Sequence, residues 1–391
     1  MRIDFVPSDT ACRVDVLIPV YNAANTVRAS LRSIQEQTVS DVRILVIDDG
    51  STDATAAIVS EISLEDPRLE LIRKPFNSGI VDTLNVGFGY CRSPYIARHD
   101  ADDVAYPNRF EVQLRYLETH ADCVAVGAAT RLIDAAGRHQ GGYSRLPQPD
   151  IADPHWFPSR EPYILHPFLM IRRDALVAVG GYRHAFHAED TDLYWRVQER
   201  GGMCNLPDLL GEYRIHAGSI SGTSIQNGRI SALNSQLSAI SAVRRRSGLP
   251  DLVFPPERLA AYRQTDTTTG LLQLVMGDLT PEERAYLELA VAVKIVEGAI
   301  YRPYYLDEED CRFVRRTLTA NWYRFCRENT EEVREKLVSV GTKMVYGRRL
   351  REVAMLLPPT LLARTLGQVA RFSLEARLRR WMRRLRSRPA I

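Results

Sequence analysis

Asp100-Ala101-Asp102-Asp103 places three carboxylates within four residues, entered by the short apolar run Tyr95-Ile96-Ala97. Acids this close repel one another unless a cation or a hydrogen-bonding ligand sits between them. Hard divalent cations, Mg²⁺ or Mn²⁺, suit the position, because they take carboxylate oxygen and share their other positions with water and substrate phosphates. A strand ending in Asp-X-Asp therefore reads either as a phosphate-clamping metal site or as an acidic turn capping the helix expected over 107–120. A second acidic pair, Glu189-Asp190, precedes an amphipathic helix expected over 193–199. Acids at a helix start favour the helix dipole and need do nothing more. The same rigid placement is what proton abstraction requires. His216, closing the run Tyr213-Arg214-Ile215, is either a metal or phosphate contact or a surface histidine.

The elements that must position these groups alternate. Val14–Val20 is a short β-branched run ending at Tyr21-Asn22, and apolar residues at Val27, Leu31 and Ile34 then keep helical spacing. Val42–Ile47 repeats the strand signal and stops at Asp48-Asp49-Gly50-Ser51-Thr52-Asp53. A helix at about 54–63, a strand near 69–73 and a helix within 79–90 follow. Such alternation predicts an α/β fold with a mainly parallel sheet, whose ligands bind beyond the carboxyl ends of the strands. The polar clusters all fall at that edge. No Gly-X-Gly-X-X-Gly follows the first strand and no P-loop signature occurs, which argues against dinucleotide or P-loop chemistry. Tyr21 and Asn22 offer an aromatic face and an amide suited to a nucleobase, and Asp49 an acceptor for a base N–H or ribose hydroxyl.

Composition sets the outer limits. A chain of 391 residues, 45% hydrophobic and 25% charged, can bury a core and divide into two or three domains. The six cysteines show no Cys-X-X-Cys pairing, which points to a reducing compartment. The first 13 residues lack the basic start and apolar core of a signal peptide, and no run reaches the length of a membrane span. Net charge is +3, but nine arginines against Glu375 alone give a local +8 from Arg364 onward, leaving −5 for the rest. The tail is a separate electrostatic object.

Taken in order, Ile18-Pro19-Val20-Tyr21-Asn22, Asp48–Asp53, Asn77-Ser78-Gly79 with Asn85, Asp100–Asp103, Glu189-Asp190 and Tyr213–His216 resemble the family 2 glycosyltransferases. The resemblance covers about residues 14–221. It implies the GT-A fold, a nucleotide-sugar donor and a metal cofactor, Mn²⁺ or Mg²⁺. Carried over residue by residue, it implies that Pro19, Tyr21, Asn22, Asp49, Asn77, Asp100 and Asp102 line the nucleotide-sugar. Pro19, Tyr21 and Asp49 would frame the base, and Asp100 would hold the ribose. Asp102 would bind the metal with His216, and Asp190 would be the catalytic base of an inverting transfer. Processive members carry Gln-X-X-Arg-Trp after the base; here the chain reads Asp192-Leu193-Tyr194-Trp195-Arg196-Val197, which implies addition of a single sugar. Arg98-His99 stand where the family usually has apolar residues.

The expected divisions are a catalytic domain over 1–225, a helical domain over 226–345 and a basic amphipathic tail over 346–391. Residues 135–162 read as a long mobile loop, with His155, Trp156 and Phe157 placed either to stack on a sugar or to anchor the loop. In the tail, Leu374, Leu378, Trp381, Met382 and Leu385 share one helix face and arginines the other, a pattern suited to an anionic membrane surface or to docking on protein. Nucleic acid is not expected, since no base-stacking aromatics interleave the arginines. The expectation is a bacterial enzyme of surface polysaccharide or lipopolysaccharide synthesis, peripheral on the cytoplasmic face of the inner membrane, with a saccharide or lipid-linked acceptor. Its rival is a catalytically silent nucleotide-sugar-binding or scaffolding protein of the same fold. A sugar nucleotidyltransferase is disfavoured, because Tyr21-Asn22-Ala23-Ala24 stands where that class has a Gly-rich, Arg-bearing loop.

Overall fold

The computed structural model describes residues 12–215, 224–325 and 329–386, without the side chains of 322–325 and 376–386. The expected alternation is present: β1 (Val14–Val20), α1 (Val27–Gln35), β2 (Val42–Asp48), α2 (Thr55–Glu65), β3 (Leu69–Arg73), α3 (Ile80–Tyr90) and β4 (Tyr95–Arg98). Next come β5 (Val104–Ala105), α4 (Arg109–Thr119), β6 (Cys123–Ile133), β7 (His139–Ser144), β8 (Met170–Arg172), α5 (Arg173–Ala178), α6 (Glu189–Gln198) and β9 (Gly202–Arg214). The described strands form one sheet in the order β3-β2-β1-β4-β8-β6-β9-β5, with β7 beside β6. β3, β2, β1 and β4 are mutually parallel, as crossover helices require. The short β8 runs antiparallel to both β4 and β6, and joins that half to the pair β6–β9, itself parallel.

Strand alternation divides the core into two layers. Val14, Val16, Ile18 and Val20 point to one side, with Val27, Leu31, Ile34 and Phe110. Leu17, Leu45 and Ile47 point to the other, with Leu84, Phe88, Leu193 and Tyr194. Among the described residues no disulfide forms.

Residues 135–162 are more ordered than their composition predicts. Asp134 Oδ1 accepts the backbone N–H of Ala136 and of Arg138, each at 2.9 Å, and Gly137 takes φ +78°. That Asx-type turn folds β7 back onto β6, which aperiodic sequence does not reveal. Further on, Asp153 bridges to Arg160. The amphipathic helix expected at 193–199 starts earlier, so that Glu189 and Asp190 stand in its first turn.

The chain divides into two compact units: residues 1–154, 160–219 and 238–256 in the first, and 155–159, 220–237 and 257–391 in the second. The division passes through the single helix α7 (Ile225–Arg246). The second unit is helical, with α8 (Arg258–Arg263), α9 (Thr268–Gln273), α10 (Pro281–Tyr301), α11 (Glu308–Phe325), α12 (Thr330–Tyr346), α13 (Leu350–Leu356) and α14 (Pro359–Arg386). α10 begins with a reciprocal capping box between Thr280 and Glu283. Its buried stripe includes Leu287, Val291 and Ile295, as their spacing predicts. Phe157 belongs to this unit, 7% exposed, edge-on to Tyr286 at 6.0 Å and with its carbonyl held by Asn329. Of its two expected roles, the anchor is the one the packing supports. No described helix is long and apolar enough to cross a membrane.

Candidate active site

Three loops close over the carboxyl ends of β1, β2 and β3. Asn22 adopts φ +50°; its N–H reaches Ser51 Oγ at 3.0 Å, and its side-chain oxygen accepts the N–H of Thr52 at 2.9 Å. Gly50 sits at φ +71°, where a Cβ would fall 2.7 Å from the Phe76 carbonyl carbon. Asp49, 4% exposed, pairs with Lys74 and accepts the backbone N–H of Ser78 and of Gly79, each at 3.0 Å. The carboxylate thus ties the loop after β3 to the loop after β2. Pro19 is buried within β1, whereas Tyr21 is 49% exposed and Asn77 is exposed on the tied loop.

β4 delivers the acidic turn. His99 N–H continues the pairing to Leu17 O at 3.1 Å, Ser30 Oγ donates to the Asp100 carbonyl at 2.7 Å, and the turn closes from Asp103 N to Asp100 O at 3.3 Å. Arg214, the last residue of β9, fastens the far side: its N–H meets Asp103 Oδ1 at 2.8 Å and its Nε meets Asp102 O at 2.7 Å. Underneath lies Arg109, fully buried. It donates to Arg98 O at 2.6 Å, lies 3.0 Å from His99 Nδ1, and its guanidinium stands 4.6 Å from the Phe168 ring centre. Burial, with Arg109 and Arg98 on either side, pushes His99 well below the usual imidazole range and keeps it neutral.

Asp100, Asp102 and Asp103 bring one carboxylate oxygen each within 4.8 Å of one another. Burial, then the neighbouring acids, raise Asp103 far above the ordinary carboxyl value. Among the described residues its Oδ2 finds no hydrogen-bond partner. An all-oxygen set with an orphaned buried carboxylate oxygen fits Mn²⁺ or Mg²⁺. His216 lies outside the described residues.

α6 supplies three acids with three environments. His187, at φ +61°, turns the chain into the helix. Burial, then the charge of Asp190, lifts Glu189 to about 7. Burial also raises Asp190, opposed by the Thr191 N–H at 2.7 Å from its Oδ1 and by Arg98. Burial would raise Asp192 as well, but Arg196 and Arg183 grip both of its oxygens and hold it at about 2. Asp192 therefore anchors the helix, leaving the first-turn pair as the titratable groups. Asn85 fixes the approach to α6 by bonding both the N–H and the carbonyl of Tyr182 at 2.9 Å, and the Tyr182 hydroxyl pairs with His166.

Residues 15–180 match the family model described as Glycosyl transferase family 2. The amylovoran biosynthesis glycosyltransferase AmsE of Erwinia amylovora is 31% identical over 207 residues, covering 52% of this chain and 76% of that protein. The chain is a family 2 glycosyltransferase. The transferase is also 27% identical over 277 residues to an uncharacterized glycosyltransferase of Haemophilus influenzae, covering 68% of this chain and 85% of that one. Among solved structures, the mannosyltransferase PcManGT of Pyrobaculum calidifontis, in complex with GDP-Man and Mn²⁺, superposes with a TM-score of 0.50 at 16% identity. That match covers 94% of this chain and 90% of the other, and shows a shared GT-A fold.

The site residues read from the sequence thus fall into two groups. Pro19 lies within β1, and Tyr21, Asn22, Asp49 and Asn77 lie on the joined loops after β1, β2 and β3. Asp100, Asp102 and Asp103 lie beyond β4, and Asp190 on α6 shares with Asp100 and Asp103 the field of one guanidinium, that of Arg98. Sequence reasoning gave no role to Arg109, Arg214, Lys74 or Tyr182. Their partners are 4 to 112 residues distant along the chain, and only the polar Arg98-His99 at the end of an apolar strand hinted at them.

Proposed function

We propose that this glycosyltransferase moves a single sugar, with inversion, from a nucleotide-sugar to a hydroxyl acceptor in a metal-dependent reaction. The observation that carries the reading is the acidic turn after β4, where Asp100, Asp102 and Asp103 bring one carboxylate oxygen each within 4.8 Å of one another. Asp102 with Asp100 would hold the cation, which when bound supplies charge neutralisation at the two donor phosphates. Tyr21, Asn77 and the loop pinned by Asp49 receive the nucleoside. Asp190, ionised, takes the proton of the acceptor hydroxyl as that oxygen bonds to the anomeric carbon. The bond from that carbon to the phosphate oxygen breaks on the opposite face, and its electron pair leaves with the nucleoside diphosphate. Glu189, lifted to about 7, stays partly protonated at neutral pH. Attack opposite the leaving group inverts the anomeric centre.

The polysaccharide role is supported by AmsE, whose name places that relative in amylovoran biosynthesis. The metal and donor class are supported by the Mn²⁺ and GDP-Man of the similar mannosyltransferase. A saccharide or lipid-linked saccharide on the cytoplasmic face of the inner membrane is the proposed acceptor. The tail supports it: α14 continues as one helix to Arg386 and exposes Leu366 and Leu374 ahead of the basic amphipathic sequence.

Release of nucleoside diphosphate from a panel of nucleotide-sugars, with Mn²⁺ or EDTA, tests the proposal. One donor should be consumed in a metal-dependent way that Asp102→Ala abolishes, and the product should carry the inverted anomeric configuration by NMR. Turnover that survives both EDTA and Asp102→Ala would remove the metal from the mechanism.

A further inference from the structure

Helix α6 is entered through a segment whose backbone is unfavourable on its own. His187 takes φ +61°, a region where a side chain other than glycine is strained and which persists only where the surroundings fix it. Tight turns flank it: Ala185 N–H meets Arg183 O and Ala188 N–H meets Ala185 O, each at 2.8 Å. Glu189 and Asp190 follow within three residues.

Three consecutive residues ahead of the strained position supply the fixing. Asn85 on α3 bonds both main-chain groups of Tyr182 at 2.9 Å, and the Tyr182 ring stacks on Phe88 with centres 5.3 Å apart. Arg183 Nε reaches Asp192 Oδ2 on α6 at 3.0 Å, and its Nη1 reaches Asp251 at 2.8 Å. His184 Nε2 stands 3.0 Å from Asp82 Oδ1 in the first turn of α3 and, facing a carboxylate, is the donor. Asp82, Asn85 and Phe88 are spaced by three, so one face of α3 holds the approach to α6.

The same first turn is held from the other side by the loop after β3. Asp49 accepts the N–H of Ser78 and of Gly79, and its partner Lys74 also donates to Thr83 Oγ1 at 2.9 Å. Thr83 Oγ1 in turn donates to Gly79 O at 2.9 Å. α3 thus stands between the loop assigned above to the nucleoside and the segment that delivers the acid pair.

We propose that Asp82 and His184 are positioning residues of the transfer reaction: their pair registers Asp190, through α3, against the nucleoside loop. The proposal rests on the transferase reading above. Asn85 and Phe88 hold Tyr182 without the pair, whose side chains are 31% and 14% exposed, so it contributes little to overall stability. What it adds is an anchor three residues from His187, where Tyr182 alone leaves five. Proton abstraction depends steeply on how base and hydroxyl are placed, so a contact of small energetic weight acts on rate.

Asp82→Ala and His184→Ala in the whole chain test this, beside Asp82→Asn and His184→Gln, which keep the acceptor and the donor of the bond. Nucleoside diphosphate release from the nucleotide-sugar that the wild type consumes should lose roughly ten- to a hundred-fold in kcat in both alanine variants. Donor KM and the urea midpoint should stay near the wild type, and the two amide variants should recover most of the rate. Hydrogen exchange read by mass spectrometry should quicken over residues 185–192 and stay unchanged over 74–79. If Asp82→Ala does not fold, His184→Ala is read in its place. An unchanged kcat in a folded alanine variant overturns the proposal. So do amide variants as slow as the alanine ones, or a loss carried by donor KM, which would make Asp82 a donor contact. Failure of the transferase reading looks different: the wild type consumes no nucleotide-sugar, while exchange over 185–192 still responds to the alanine variants.

Discussion

Two groups of three acids, one in each unit, are each brought against a buried arginine, and they end in opposite conditions. Asp307, Glu309 and Asp310 bring their oxygens as close as the Asp100 turn does. There Arg229 spends its guanidinium completely. Nε and Nη2 bond Asp310 at 2.9 Å, Nη2 also bonds Asp307, and Nη1 bonds the Asp266 carbonyl. Thr268 Oγ1 closes Asp310 at 2.7 Å and Thr269 closes Glu309 at 2.8 Å. At the Asp100 turn, by contrast, Arg98 and Asp103 both keep buried polar atoms without a hydrogen-bond partner among the described residues. Proximity of acids therefore does not distinguish a site from a brace; the distinguishing feature is whether the chain supplies its own complete set of partners.

The comparison breaks first on activity. Asp190→Asn should lower kcat for sugar transfer by roughly 10²–10⁴-fold, whereas Asp307→Ala should leave both kcat and Mn²⁺ affinity unchanged. Steady-state kinetics and calorimetric titration of Mn²⁺ measure this, and loss of Mn²⁺ binding in Asp307→Ala would assign the metal to the second cluster. Stability should divide the other way. Arg229→Met leaves Asp310, fully buried, without its cation and should cost about 3–5 kcal/mol in a urea melt of the whole chain.

The acids of α6 sharpen the same point through pH. Asp192 is depressed to about 2 against an unfolded value of about 3.9. Its pairing therefore stabilises fully above pH 4 and is lost as pH falls towards 2, about 2–3 kcal/mol in all. Glu189 has the opposite sign: raised to about 7 from an ordinary 4.5, it favours the fold below pH 4.5 and loses that contribution as pH rises through 7. Asp192→Asn should flatten the acid side of a melting-temperature profile and Glu189→Gln its neutral side. Identical profiles would mean that the two carboxyls share one environment. The smallest effect belongs to Thr268→Val, which removes one bond to Asp310 and should cost about 1 kcal/mol by urea titration.

Particular elements show how far the sequence could be read. The β-branched runs at 14–20 and 42–48 and the apolar spacing of Leu287, Val291 and Ile295 announced strands and a helix, because burial on a fixed period leaves its mark locally. The six-residue helices α8 and α9 went unseen, being too short to show a period, and β7 was hidden because its turn depends on the Asp134 side chain. Asp102 and Asp190 stood out because three acids within four residues, or two at a helix start, are costly enough to demand a reason. Phe157 was not, since an aromatic in an irregular segment looks the same whether it waits for a sugar or rests on Tyr286.

The sequence by itself determined the alternating α/β order, the acidic turn after β4, the acid pair that opens α6 and the basic tail, all of them properties of residues near one another in the chain. Tertiary structure alone decided what each charge meets. It gave Asp49 to Lys74 and the loop after β3, Asp192 to two arginines, Asp310 to Arg229, and Arg98 to Asp100. Coulomb energy and desolvation depend on distances through space, and those distances join residues that are 2 to 81 positions apart.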